Sequence, residues 1–121
     1  MRVLLADDSG TMRTIIRRSL ESLGVGTVVE AADGLQALEL FKAGGGFDLV
    51  LTDWNMPGKT GIELIRDIRA IDQKTPIMMI TTEAEKSRVI EAIQAGVTDY
   101  LVKPFTTDKL KEKLDKFLCP A

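Results

Sequence analysis

Histidine is absent from the 121-residue chain. That absence excludes serine–histidine triads, histidine metal ligands and a phosphohistidine carried by this chain. A single cysteine, Cys119, has no partner for a disulfide or a cysteine-rich zinc site, which suits a reducing compartment. An excess of one charge is also missing. Sixteen basic against 18 acidic side chains leave a net charge of −2 and a pI of 5.2, so no basic surplus offers a surface for nucleic acid or an anionic membrane. No apolar run approaches the ~18 residues that span a bilayer, and the N-terminus lacks a signal-peptide core. Cytoplasmic residence is therefore expected.

What is present is alternation. A content of 45% hydrophobic residues leaves room for one compact core, so a single domain over residues 1–121 is expected, without an output domain and as a monomer. No linker, low-complexity tract or repeated motif interrupts it. Short β-branched or leucine-rich runs alternate with stretches of 3.6-residue apolar period, in five pairs. Strands are predicted at Arg2 to Ala6, Thr27 to Ala31, Leu49 to Thr52, Ile77 to Ile80 and Tyr100 to Val102. The first helix is expected to turn Met12, Ile15, Ile16, Leu20 and Leu23 inward and to close at Gly24. The second starts from an Asp33 N-cap, buries Leu35, Leu38 and Phe41, and stops at Gly44, Gly45 and Gly46. Inward faces of the remaining helices are Ile62, Ile65 and Ile68, then Val89, Ala92 and Ile93 ahead of Gly96, then Leu110, Leu114 and Phe117.

Strands alternating with helices call for a doubly wound α/β fold, a five-stranded parallel sheet covered on both faces, because parallel neighbours need crossover connections. In such sheets ligands bind beyond the carboxyl ends of the strands, where the winding direction switches. Those ends carry Asp7 and Asp8, Asp53, Thr81 and Lys103. If the first and third strands are neighbours, three carboxylates converge, and a like-charged pair at ~4 Å repels by about 4 kcal/mol at an effective dielectric of ~20. Protonation or a cation must compensate. An all-oxygen site open to solvent suits Mg²⁺, which tends to bridge carboxylates to phosphate. Each residue also has a plainer reading. Paired acids after a strand serve as the charge at a helix N-terminus, Asp53 alone is a loop acid, Thr81 alone an N-cap or turn residue, and Lys103-Pro104 a turn.

The segments "LLADDSGTMR", "LVLTDWNMPGKTG", "IMMITTEAE" and "DYLVKPF", in this order and spacing, resemble the receiver domain of bacterial two-component response regulators, most of all the single-domain chemotaxis members. The likeness covers essentially the whole chain. It implies a flavodoxin-like (βα)5 sheet of strand order 2-1-3-4-5. It also implies that Asp53 is the phosphoacceptor, that Asp8, Asp53 and the backbone carbonyl of Asn55 bind Mg²⁺, and that Asp7 helps from the next shell. Lys103 would neutralise a phosphoryl oxygen and Thr81 would bond another. Tyr100 would be a switch residue, with a half-buried structural aromatic as the plainer reading. Asn55, Thr82 and Glu83 stand where the site is modulated, and Lys86, Val89, Tyr100 and Lys113 on an output surface. The phosphoryl group would come from a histidine kinase or a small donor, and the output would be a protein target such as the flagellar motor switch. The chain would be a phosphoacceptor, not an enzyme beyond its own phosphorylation and dephosphorylation.

Lys59, Thr60 and Thr82 depart from common receiver residues. A receiver in a phosphorelay outside chemotaxis is one alternative. A haloacid-dehalogenase-type Mg²⁺ phosphatase is another, although its aspartates are spaced i, i+2 and Asp7 and Asp8 are adjacent. A flavodoxin-like cofactor binder would need a neutral loop where these two acids stand. Gly58-Lys59-Thr60 mimics the end of a P-loop, but position 53 is aspartate where that motif requires glycine.

Overall fold

A computed structural model describes residues 2–44, 46–54, 56, 59–81, 86–102 and 105–118. Ten elements follow one another: β1 (Arg2–Ala6), α1 (Gly10–Ser22), β2 (Thr27–Ala31), α2 (Gly34–Gly44), β3 (Leu49–Asp53), α3 (Gly61–Ile71), β4 (Ile77–Thr81), α4 (Lys86–Ala95), β5 (Asp99–Val102) and α5 (Thr107–Leu118). The strands form one sheet of order β2-β1-β3-β4-β5, and every pairing is parallel. The chain leaves β1 toward one edge and returns past it to β3. That reversal puts the switch in winding direction between β1 and β3.

Both sheet faces are covered, so the central strands read as near-continuous apolar runs rather than alternating ones, with polar residues only at their ends. Alternation then sorts residues between two cores. Leu4, Ala6, Val50, Ile77 and Met79 pack with Ala37 and Phe41 of α2, Ile62, Leu64, Ile65 and Ile68 of α3, and Ala92 and Ala95 of α4. Val3, Leu5, Leu49, Leu51, Met78, Ile80 and Leu101 pack with Ile16 and Leu20 of α1 and Leu110 and Leu114 of α5. Thus α2, α3 and α4 cover one face and α1 and α5 the other. Each fully buried leucine or isoleucine contributes about 1.5–3 kcal/mol.

Local signals place the helix ends. Ser9 caps α1 by accepting from Met12 N–H at 3.3 Å. Asp33 does the same for α2 through Gln36 N–H at 2.7 Å. Thr60 and Glu63 close a reciprocal capping box at α3. Gly24 and Gly96 end α1 and α4 with φ of 94° and 109°, a conformation that costs other residues strain.

Three expected core residues lie outside: Ile15 is 51% exposed, Leu35 54% and Ile93 59%. Ile15 is one residue, or about 100°, from the Ile16–Leu20 line that meets the sheet. Ile93 likewise stands beside Ala92, where a small side chain lets α4 approach the sheet. Leu35 lies in the first turn of α2, ahead of the Ala37–Phe41 line. Leu64, not singled out from the periodicity, is fully buried. Strands β3, β4 and β5 extend one residue further than expected at one end, taking in Asp53, Thr81 and Asp99. Val89 lies in α4 and Phe117 in α5, but their side chains are outside the described residues, as are Gly45, Cys119 and the backbones of Asn55 and Lys103.

Candidate functional site

The register carries the acids to one mouth of the sheet. Ala6 of β1 pairs with Thr52 of β3, so the residues that follow, Asp7 and Asp53, leave the sheet side by side. One carboxylate oxygen each from Asp7, Asp8 and Asp53 lies within 4.8 Å of the others. Asp7 is buried, Asp53 half-buried and Asp8 exposed, so the cluster grades from core to solvent.

Backbone bonds hold the first two acids. Asp7 N–H continues the sheet by donating to Ala31 C=O at 3.1 Å. The Asp7 carboxylate accepts from Ser9 N–H at 2.9 Å, which ties the acid to the cap of α1. Asp53 Oδ1 accepts from Trp54 N–H at 2.8 Å, and its carbonyl accepts from the Thr52 hydroxyl at 3.0 Å. A glycine is required opposite: a Cβ on Gly61 would stand 2.2 Å from the Asp53 carbonyl oxygen. A Cβ on Gly34 would meet the Lys59 carbonyl oxygen at 2.3 Å, so α2 also packs against the loop after β3. Lys59 forms an ion pair with Asp67 of α3. That hydrogen bond and the Asp67 charge raise the lysine above its ordinary pKa against a smaller loss from burial.

At this separation each carboxylate pair repels by about 3.5 kcal/mol at an effective dielectric of ~20. A donor set made only of carboxylate oxygens, one of them exposed, fits a hard divalent cation that keeps part of its water, as Mg²⁺ does. A thiolate- or imidazole-preferring ion finds no soft ligand among these three.

Thr81 ends β4 in register with Val102, at the same edge of the sheet. Its side chain lies outside the described residues, as do Asn55, Thr82, Glu83 and Lys103 and the side chains of Lys86 and Val89. Tyr100 is half-buried against the core on the α3–α4 face. Lys113 Nζ lies 5.6 Å from its ring centroid and 3.1 and 3.2 Å from the two carboxylate oxygens of Asp99. Nearby, α4 exposes Ile90 and Ile93.

A model of the response regulator receiver domain matches residues 3–115. The chain belongs to the response regulator receiver family. It is 52% identical over 118 residues to the chemotaxis protein CheY-3 of Vibrio cholerae serotype O1, covering 96% of this chain and 90% of that protein. It is 49% identical to chemotaxis protein CheY of Pseudomonas aeruginosa, covering 96% and 94%. The solved structure of Vibrio cholerae CheY4 superposes with a TM-score of 0.87 at 37% identity, over 96% of this chain and 97% of that one. The receiver domain of Francisella response regulator 1452 gives 0.87 at 32% identity, over 96% and 94%. The protein is thus a CheY-like receiver, a signalling protein with the flavodoxin-like order 2-1-3-4-5. Membership in this family leaves the phosphatase and flavin-binder alternatives without support. No helix among the described residues is long and apolar enough to cross a membrane.

Sequence reasoning missed Arg13, whose Nη1 donates to the Asp7 carbonyl at 2.6 Å, and Glu30, which accepts from Arg13 Nε at 3.3 Å and Arg17 Nη1 at 2.7 Å. A glutamate inside the apolar run "TVVEA" was the available signal. It also missed the Lys59–Asp67 pair, eight positions apart across a loop and the start of a helix.

Proposed function

We propose that the protein accepts a phosphoryl group on Asp53 from a histidine kinase and thereby changes its affinity for a protein target. The single observation that supports this reading most is the meeting of Asp7, Asp8 and Asp53 within 4.8 Å at the switch point of the sheet. Asp8 and Asp53 would hold Mg²⁺ directly, the Asn55 carbonyl would complete the protein ligands, and Asp7 would orient them from behind. Bound there, Mg²⁺ supplies charge neutralisation for the incoming phosphoryl oxygens.

The chain's own residues do the rest. Trp54 N–H donates to Oδ1 of Asp53 and so orients the carboxylate from which an oxygen would attack phosphorus. A new Asp53 oxygen–phosphorus bond forms as the bond from phosphorus to the donor nitrogen or acyl oxygen breaks, and the electron pair leaves with the donor. Lys103 balances charge on the transferred group, and the Thr81 hydroxyl bonds an oxygen of the product. Positioning and charge account for most of such a transfer. Small acyl or amido phosphates would serve as donors too, and hydrolysis would return the aspartate. Asn55, Thr82 and Glu83 would set how readily donor and water reach it.

Phosphorylation adds about −1.5 to −2 charges at the mouth of the sheet. Thr81, Tyr100 and the surface of α4, β5 and α5 would carry the change outward, with Lys86, Val89 and Lys113 contributing to the face that binds the target. Relatives named as chemotaxis proteins favour the flagellar motor switch as that target and the cytoplasm as the setting. We read the 121 residues as one receiver domain acting as a monomer through this surface.

Incubation with acetyl phosphate and Mg²⁺, then intact mass and peptide mapping, tests the reading. One phosphoryl group on the Asp53 peptide, dependent on Mg²⁺ and lost in Asp53→Asn, is expected. Label on another residue defeats it.

A further inference from the structure

Resting on that reading, we propose that Arg13 is a positioning residue for the acidic cluster and that Glu30 is its anchor. Asp8 is exposed, so packing does not fix its direction. What fixes it is the peptide plane it springs from. The Asp7 carbonyl and the Asp8 nitrogen share one planar unit, so pinning that carbonyl orients the backbone at Asp8. Arg13 pins it with a charge-assisted bond of 2.6 Å from the first turns of α1. Asp7 is held on its other side through the 3.1 Å bond from its N–H to Ala31.

Glu30 precedes Ala31 in β2 and pairs in register with Leu5. Its carboxylate gives one oxygen to Arg13 and the other to Arg17. The side chains of Arg13 and Glu30 are only 21% and 28% exposed, which limits screening. Arg17 holds Glu30 through Nη1, while its buried Nε has no hydrogen-bond partner among the described residues. The guanidinium of Arg13 thus spans β2 and the turn after β1 with two different nitrogens. An ammonium carries its three donors on a single nitrogen and so cannot reproduce donation from two separated nitrogens.

The test uses the full chain and the variants Arg13→Ala, Arg13→Lys and Glu30→Gln. Trp54, the single tryptophan, adjoins Asp53, so its emission reports metal binding. Mg²⁺ affinity is read from that emission, phosphoryl incorporation from intact mass, and folding from far-UV circular dichroism. Arg13→Ala is expected to weaken Mg²⁺ binding roughly tenfold, the usual effect of removing a group that orients a ligand. Arg13→Lys should fail to restore it, and Glu30→Gln should give a smaller loss with the fold intact. Should Arg13→Ala not fold, the other two variants decide. Wild-type Mg²⁺ affinity in Arg13→Lys would show charge, not geometry, to be what matters and would overturn the proposal, as would unchanged affinity in Glu30→Gln and Arg13→Lys together. A wild-type protein that binds no Mg²⁺ overturns the functional reading and this inference with it, whereas a normal wild type with unaffected variants overturns the inference alone.

Discussion

Neutralising Asp8 should make the metal-free protein more stable, because the mouth of the sheet holds like charges together at a cost. Asp8 faces two other carboxylates across no more than 4.8 Å. Each pair repels by about 0.9 kcal/mol at the dielectric of water and about 3.5 kcal/mol at ~20. Since Asp8 is exposed, the lower figure is the safer, giving about 2 kcal/mol for both pairs. Asp8 also stands just before the N-cap of α1, where negative charge is favourable by about 0.3–1 kcal/mol. Repulsion wins by at least about 1 kcal/mol. For a domain of this size that is a rise in Tm of roughly 4 °C or more. Thermal melts of wild type and Asp8→Asn in EDTA at low salt measure it. In 1 M KCl the difference should shrink, since the screening length falls to ~3 Å. With Mg²⁺ at a hundred times its Kd, wild type gains about 2.7 kcal/mol and the variant much less, so the order of the two melts reverses. An Asp8→Asn protein that melts at or below wild type in EDTA refutes the reasoning.

Other consequences follow from the same structure. The Asp72 carboxylate accepts from the Thr75 hydroxyl at 2.6 Å, Lys74 N–H at 2.7 Å and Thr75 N–H at 3.0 Å, which lower its pKa from 3.8 to about 2. A depressed carboxylate stabilises the fold above its unfolded value, so the advantage of wild type over Asp72→Asn, about 1 kcal/mol after allowance for solvent, should fade between pH 4 and 2 in urea titrations. Gly61→Ala forces a Cβ against the Asp53 carbonyl. It should cost about 1–3 kcal/mol in urea unfolding and slow labelling by acetyl phosphate. Arg69 donates to Gly96 C=O at 2.9 Å, Thr75 C=O at 2.7 Å, Asp72 C=O at 3.3 Å and the Thr98 hydroxyl at 3.3 Å, binding α3 to the end of α4. Arg69→Ala should lower the urea midpoint by the equivalent of about 3 kcal/mol with an unchanged slope.

The layout of the fold was legible because alternation of strand and helix admits few topologies, and because parallel strands present their carboxyl ends to one edge. That rule put Asp7, Asp8 and Asp53 at one edge, and the β1–β3 adjacency that brings them together came from the resemblance to receiver domains. Helix faces were less legible. A 3.6-residue period locates a stripe only to within a residue, and Ile15, Leu35 and Ile93 fell on its wrong side, leaving Ile93 beside Ile90 on the outer face of α4. Arg13 and Glu30 could not be paired from spacing, since their contact depends on the register of β1 with β2 and the packing of α1 over that edge. Lys59 read only as a departure from the usual receiver residue and as part of a failed P-loop match. Only its reach along α3 to Asp67 shows what it does.

Placement of a divalent ion by anomalous scattering tests the acidic cluster most directly. A crystal soaked in Mn²⁺, which shares the oxygen preference of Mg²⁺, should show its strongest peak at direct ligand distance from both Asp8 and Asp53. A peak bound elsewhere, or none at this mouth of the sheet with the ion at saturating concentration, would contradict a metal-assisted phosphoacceptor site.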